Sequence, residues 1–380
     1  MTARVAIVAD DLTSAADGAG PFREAGLSAL ITLCGEELST PFEVIAVDTD
    51  SRGLAPAPAG VKTAAVIRAL GSSRVLLKTI DSTLRGNLRS EVRAALAAGS
   101  RSTAIVAPAF PAEGRTTANG VQLVHGVPVA HTVFGSDRSH PATTSDLLEI
   151  FPEGCRWEVG TPLPTGIVVA DAGSDADLNA VVGGVPADRE VLWVGSPGLA
   201  AALARRAPYR VKAVPVRLPP RRRTLVVVGS RNDISRQQLE QCVPREHVLD
   251  VSDGTTGGAL AAVGSWLETR GRAGVTDRSD GASPEQVADR LAGAVSALHR
   301  HNAFDALFAT GGATARALLD RLRVRSLELL SEPEPGIVAA KADGQTPFLF
   351  VLKAGGFGDA AAFRRLHSLF TATHQGQELT

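Results

Sequence analysis

At 380 residues, with 44% hydrophobic and 21% charged side chains, the chain has the make-up of an ordinary globular protein and the length of about two domains. A formal net charge of −1 leaves no basic excess for holding nucleic acid or an anionic membrane, and no apolar run is long enough to span a bilayer, so the cytoplasm is the expected location. Three scattered cysteines (Cys34, Cys155, Cys242) and eight histidines without HxxxH spacing argue against a disulfide framework and a metal held by protein ligands alone; any Mg²⁺ would arrive with a phosphate.

In chain order, RVAIVA (4 to 9) reads as a buried strand that delivers Asp10 and Asp11, followed by a helix to about Ala25. Apolar runs at 30 to 33 and 44 to 47 come next, the second ending in Asp48-Thr49-Asp50-Ser51-Arg52. A helix over 60 to 70 precedes the strand beginning at Val75, which passes at once into Lys78, Asp81, Ser82, Thr83, Arg85 and Gly86. After a helix over 87 to 98, a strand over 103 to 107 feeds a turn ending at Arg115. Residues 121 to 129 alternate about His125-Gly126 like a hairpin, and the polar segment from His131 to Thr144 is long enough for Asp137, Arg138 or His140 to reach a site. Strands at 167 to 170 and 191 to 194 are each followed by a helix. This alternation predicts an α/β fold with largely parallel, doubly wound sheets.

The proline-rich stretch from Ala207 to Arg223 reads as a linker, so we expect domains over 1–206 and 224–380 with the active site in the cleft between them. The second half restarts with a strand over 224 to 228. It has helices after 233 and over 284 to 300, a strand over 306 to 309, and a last strand over 348 to 352 before a terminal helix.

In an open α/β sheet, ligands bind beyond the carboxyl ends of the strands. There Lys78, Arg85 and Arg115 can hold a carboxylate or phosphate, and Asp10, Asp11, Asp81 and Ser82 can take hydroxyls. A bland alternative is that Asp81 to Thr83 merely cap the next helix. In the second half VVVGS, FATGGAT and VLKAGGFG end strands in glycine or serine turns, whose backbone amides can bind anions without a P-loop. An anionic, hydroxylated acceptor in one domain and a nucleotide in the other is the layout of a small-molecule kinase. A non-catalytic acid sensor is the rival from another class.

These stretches also carry a resemblance. ADDLTSAADGAG (9 to 20), KTIDSTLRGN (78 to 87), APAFPAEGRTTANG (107 to 120), HGVPVAHTVFGSD (125 to 137), GSPGLA (195 to 200), GGATA (311 to 315) and LKAGGFG (352 to 358) resemble the four-carbon acid sugar kinase family over essentially the whole chain. The resemblance implies ATP and Mg²⁺ as cofactors, phosphorylation of the terminal hydroxyl of threonate, erythronate or a 3-oxo-tetronate, and nucleotide contacts from Ser230, Gly311, Gly312, Ala313, Thr314 and Gly355. Lys353 and Gly356 of the same turn join that set, and a homodimer is compatible with it. Arg85 and Lys78 would clamp the acid or the moving phosphoryl group, while Asp11 or Asp81 would deprotonate the hydroxyl, a choice the sequence leaves open. This chain has Ser14 where the family has glycine, AGGFG for SGNFG, and Ala313 where an acidic residue is common. A hydroxylated amino acid such as 4-hydroxythreonine is therefore an alternative acceptor.

Overall fold

The computed structural model describes residues 3–33, 38, 41–137, 140–206, 222–230, 232–334, 336–344, 346–355 and 357–371. The chain divides into two compact units, Met1–Ala213 and Val214–Thr380. Most of the expected linker, with Cys34, Arg138 and Gly356, lies outside the described residues.

Unit 1 contains strands β1 (Val5–Ala9), β2 (Ala29–Leu33), β3 (Val44–Asp48), β4 (Val75–Thr79), β5 (Thr103–Ala107), β6 (Arg115–Ala118), β7 (Val121–Val124), β8 (Val127–Pro128), β9 (Cys155–Arg156), β10 (Gly166–Val169) and β11 (Leu192–Gly195). Its helices are α1 (Leu12–Glu24), α2 (Pro56–Leu70), α3 (Leu88–Ala98), α4 (Leu147–Ile150), α5 (Asp175–Gly184) and α6 (Pro197–Arg206). The main sheet is parallel, in the order β2-β3-β1-β4-β11-β5-β10-β9. Strand order reverses between β1 and β4, and it is there that a crevice opens in a doubly wound sheet. Helix α1 packs close to the sheet because Gly18 faces it: a Cβ at that position would lie 2.8 Å from Thr79 Cγ2 and 3.1 Å from Ile7 Cγ2. On the other face Val8, Val47, Ile67, Leu76, Val92 and Val106 belong to one buried cluster with α2 and α3.

Strands β6, β7 and β8 form a separate antiparallel sheet. The expected hairpin is present, its two-residue turn at His125 (φ 48°) and Gly126 (φ 81°) matching the left-handed pair that suits twisted strands.

Unit 2 comprises β12 (Thr224–Val228), β13 (Val248–Asp250), β14 (Arg272–Thr276), β15 (Ala306–Thr310), β16 (Ser326–Glu334), β17 (Ile337–Ala342) and β18 (Phe348–Lys353), with α7 (Asp233–Cys242), α8 (Gly257–Arg270), α9 (Pro284–Arg300), α10 (Gly312–Arg321) and α11 (Ala362–Thr371). Strands β13-β14-β12-β15-β18 are parallel, and β17 and β16 add an antiparallel hairpin beside β18. Neither β14 nor the hairpin is legible in the sequence. Gly274 interrupts the apolar run of β14 because α7 lies against it: a Cβ there would meet Leu239 Cδ1 at 2.8 Å. In β16 only alternate residues such as Leu327 and Leu329 are buried, so no continuous run exists to be seen.

On α11, His367 Nδ1 meets Thr224 Oγ1 at 3.1 Å, and burial, aided by Arg272, pushes its imidazolium down to about 4. The unfolded chain takes up that proton near pH 6.5, so stability is level above this pH and falls as pH drops toward 4. With the ring part-buried we expect a loss on the order of 1–2 kcal/mol across that window. Thermal unfolding at pH 7.5 and 4.5 should show the loss in the native protein and a smaller one in His367→Phe; parallel behaviour of the two would remove His367 as the cause.

Candidate active site

The carboxyl ends of β1, β3 and β4 bring three acidic residues around one arginine. Ser51 N and Arg52 N both donate to Asp10 O (2.9 and 3.2 Å), which fixes the turn after β3 against the turn after β1. From there Arg52 forks onto Asp10, with Nε to Oδ2 at 2.7 Å and Nη2 to Oδ1 at 2.9 Å. The same guanidinium donates to Asp11 Oδ2 through Nη1 and to Ser14 Oγ at 2.9 Å, and it stands 3.9 Å from Asp81 Oδ2. Ser14, one of the departures from the family pattern, thus joins the arginine. Burial alone would raise the Asp10 carboxyl, but Arg52 and Lys78 outweigh it and hold Asp10 below the usual carboxylate range. The three carboxylates in turn raise Arg52 well above an ordinary guanidinium, against the effect of its burial.

Asp81 does not cap α3, whose N-cap is Asn87. Its Oδ1 accepts from Thr83 N (2.7 Å) and Thr83 Oγ1 (2.6 Å), its Oδ2 accepts from Arg85 Nε (2.7 Å), and Arg85 Nη2 stands in ion-pair contact with the same oxygen at 2.5 Å. Thr83 thus fills both acceptor positions of Oδ1, and the Arg85 guanidinium crowds Oδ2 of this nearly buried carboxylate. Burial is again the largest effect on it, opposed successfully by Arg85, Arg52 and Thr83, which leave it well below the ordinary value. Gly86, at φ 96°, lets this loop pass close to Asp10, since a Cβ would sit 3.1 Å from Asp10 Oδ2.

Asp11 is different. It is the N-cap of α1, its Oδ1 taking Ser14 N (2.7 Å) and Thr13 Oγ1 (2.9 Å), but among the described residues its Oδ2 accepts only from Arg52. One acceptor position remains, on a carboxylate that is 20% exposed where Asp10 and Asp81 are 4% and 6% exposed.

Arg115 Nη1 donates to Ser82 Oγ at 2.6 Å, and the guanidinium carbons of Arg85 and Arg115 lie 5.4 and 5.6 Å from the centre of the Phe134 ring. Arg85 also reaches Asp137 at 3.3 Å, so the polar segment after the hairpin does contribute to this site. Gln122 of β7 ties the small sheet to the loop, donating to Ser82 O at 2.8 Å while its Oε1 accepts from Thr117 Oγ1 at 2.6 Å.

Lys78 corrects an expectation. Its side chain is fully buried, 2.8 Å from Glu91 Oε2 and 2.7 Å from Thr79 O, so it does not reach out to clamp an acid. Glu91 Oε1 accepts from Ser51 Oγ at 2.5 Å, and Ser51 meets Thr49 at 2.7 Å. The lysine therefore supports from below the turn that carries Arg52. Arg52 itself was missed as a site residue, although it ends a strand in the same polar fashion as Asp10 and Asp81. Phe134 and Gln122 left no sequence signal, because only their contacts with distant loops give them a role.

In unit 2 the turns after β12, β15 and β18 are neighbours because these strands pair in register. Gly311 (φ 91°) caps α10 without a side-chain bond and donates to Lys353 O at 2.9 Å, followed by Gly312, exposed Ala313 and buried Thr314. Gly229 approaches Thr314 so closely that a Cβ would lie 2.6 Å from its Oγ1, and a Cβ at Gly355 would lie 3.4 Å from Ser230 Oγ. The predicted residues on all three turns are thus brought together around an uncapped helix N-terminus, an arrangement that fits a nucleotide's phosphates. Lys353 is the exception. It is buried and donates to the carbonyls of Ala354, Gly355 and Phe357 instead of pointing outward. No described helix is long and apolar enough to cross a membrane.

Comparison with known proteins divides the chain in the same way. A family model described as a sugar-binding N-terminal domain matches residues 5–203, and one described as a nucleotide-binding C-terminal domain matches residues 225–363. The D-threonate kinase of Cupriavidus necator is 34% identical, covering 94% of this chain and 95% of its own. The D-erythronate kinase of Heliobacterium modesticaldum is 28% identical, with 94% and 95% covered. A solved structure from Salmonella typhimurium superposes with a TM-score of 0.80 at 18% identity, covering 96% of this chain and 99% of that one, which supports the fold.

Proposed function

The chain belongs to the four-carbon acid sugar kinase family, and from that premise we propose that it transfers the γ-phosphoryl group of ATP to the terminal hydroxyl of a four-carbon sugar acid of the threonate, erythronate or 3-oxo-tetronate type. The observation that carries this reading is the chemical division of labour: an arginine and aspartate cluster suited to a hydroxylated acid in unit 1, and three adjacent phosphate-type turns in unit 2.

In this reading Arg85 and Arg115, stacked on Phe134, take the acid's carboxylate, and Ser82 takes a hydroxyl. Asp11 is the general base. It has an acceptor position left for the hydroxyl proton on the most exposed of the three carboxylates, whereas Arg85 crowds the free side of nearly buried Asp81 and Asp10 has given both oxygens to Arg52. Ser230, Gly311 to Thr314 and Gly355 hold the nucleotide. Mg²⁺ carried in on the nucleotide's phosphates would supply charge neutralisation for the transfer; dependence on ATP puts the reaction in the cytoplasm.

An ATP-consumption screen against threonate, erythronate, 3-oxo-tetronates and hydroxylated amino acids such as 4-hydroxythreonine tests the proposal. Turnover with a four-carbon acid is expected. Turnover with only the amino acids would move the substrate class, and acid binding without nucleotide binding would turn the protein into a sensor.

A further inference from the structure

Lys353 sits at the end of β18 with no exposed surface, and the partners of its Nζ are all carbonyl oxygens: Ala354 at 2.8 Å, Gly355 at 3.0 Å and Phe357 at 2.9 Å. Helix α7 reinforces the arrangement from its own side. Ser235 Oγ donates to Gly355 O at 2.7 Å, and Gln238 Nε2 donates to Phe357 O at 3.0 Å and Asp359 O at 2.8 Å. The carbonyls of residues 354, 355, 357 and 359 are thereby all turned inward.

In a planar trans peptide the N–H points opposite to the C=O of the same unit. Carbonyls of Ala354 and Phe357 that face Lys353 therefore direct the amides of Gly355 and Gly358 away from it. Gly355 lies beside Ser230 and the turn after β15, where the other phosphate-type groups gather. A carbonyl pointing the same way would present negative charge to a phosphate; Lys353 removes that repulsion and leaves donors in its place.

We propose that Lys353 is a positioning residue for the polyphosphate of the nucleotide, acting through the backbone of the turn it gathers and not by touching phosphate. The proposal rests on nucleotide binding in unit 2. The elements around Lys353 present it with Thr310 from β15, Ile337 from β17, and Ser235 and Gln238 from α7; the charged Arg365 nearby in sequence pairs with Asp359 and Glu334. Burial lowers the ammonium to about 8. A neutral amine has only two N–H donors for three carbonyls, so the turn should loosen as pH rises through that value.

The test is calorimetry of the full chain with a non-hydrolysable ATP analogue and Mg²⁺, with adenosine, and with threonate. Lys353→Met is expected to weaken the analogue roughly 30-fold, an effect of the size expected for lost charged hydrogen bonds, while adenosine and threonate bind as before. In the native protein analogue affinity should fall between pH 7 and 9, and in Lys353→Met it should not. If the variant binds the analogue as tightly as the native protein, Lys353 has no role there, though the nucleotide reading stands. Equal losses for analogue, adenosine and threonate would make the lysine merely structural. A native protein that binds no analogue sinks the nucleotide reading and this inference together. Should Lys353→Met not fold, Ser235→Ala removes one donor to the same turn; an unchanged affinity in it, with a flat native pH profile, overturns the proposal.

Discussion

Replacing Arg52 with methionine is expected to destabilise unit 1 by about 3–5 kcal/mol and to abolish acid binding, because it leaves carboxylates buried without their counter-charge. Asp81 keeps Arg85, so the burden falls mainly on Asp10, whose two oxygens both accept from Arg52. The pH dependence identifies the cause. In the native protein the Asp10 carboxyl lies below its unfolded value, so its contribution to stability is present above about pH 4 and is lost as pH falls. Without Arg52 the desolvation that Arg52 opposed dominates, and the folded value moves above the unfolded one. The variant then loses most stability at neutral and alkaline pH and recovers part of it as the carboxyl takes up a proton. Melting of both proteins at pH 8 and pH 5 measures this: the gap should narrow at pH 5. A gap of the same size at both pH values would mean that Arg52 stabilises by packing alone. Arg52→Lys should fall between the two, since one ammonium cannot fork onto Asp10 while also reaching Asp11 and Ser14.

The second large effect is catalytic. Asp11→Asn should lower kcat by roughly 10²- to 10⁴-fold with little change in KM for the acid, as expected when a general base is removed but binding is kept. Asparagine caps a helix about as well as aspartate, so α1 should survive, at a cost of about 1 kcal/mol for the mismatched donor toward Arg52. Asp81→Asn should behave differently. Its amide would set an N–H against either Thr83 or Arg85, loosening the loop that carries Ser82 and Arg85, so KM and stability should suffer more than kcat. If the two variants exchange these signatures, Asp81 is the base and Asp11 is a cap and counter-ion.

Much of this site was readable from the chain because it follows from local rules. Buried strands end abruptly, glycine and aspartate punctuate those ends, and in a doubly wound sheet such ends gather on one side. That reasoning reached Asp10, Asp11, Asp81, Arg85 and Arg115 in unit 1 and the three turns of unit 2. Strands β14 and β16 escaped it because one is broken by the glycine that α7 requires and the other buries a single face.

What the sequence by itself determined is which residues stand at the strand ends. Only the tertiary structure decided what each of them does there, because the fate of a charge depends on its partner, and the partners are remote: Arg52 lies 42 residues from Asp10, and Ser51 lies 40 from Glu91. Lys78 and Lys353 make the point most sharply. Both read as cations aimed at a ligand, yet a lysine's long stem can turn either outward or back into the fold. Here the carboxylate of Glu91 and the carbonyls of the last glycine turn satisfy the two ammonium groups inside the protein, where an unpaired charge would be too costly to keep.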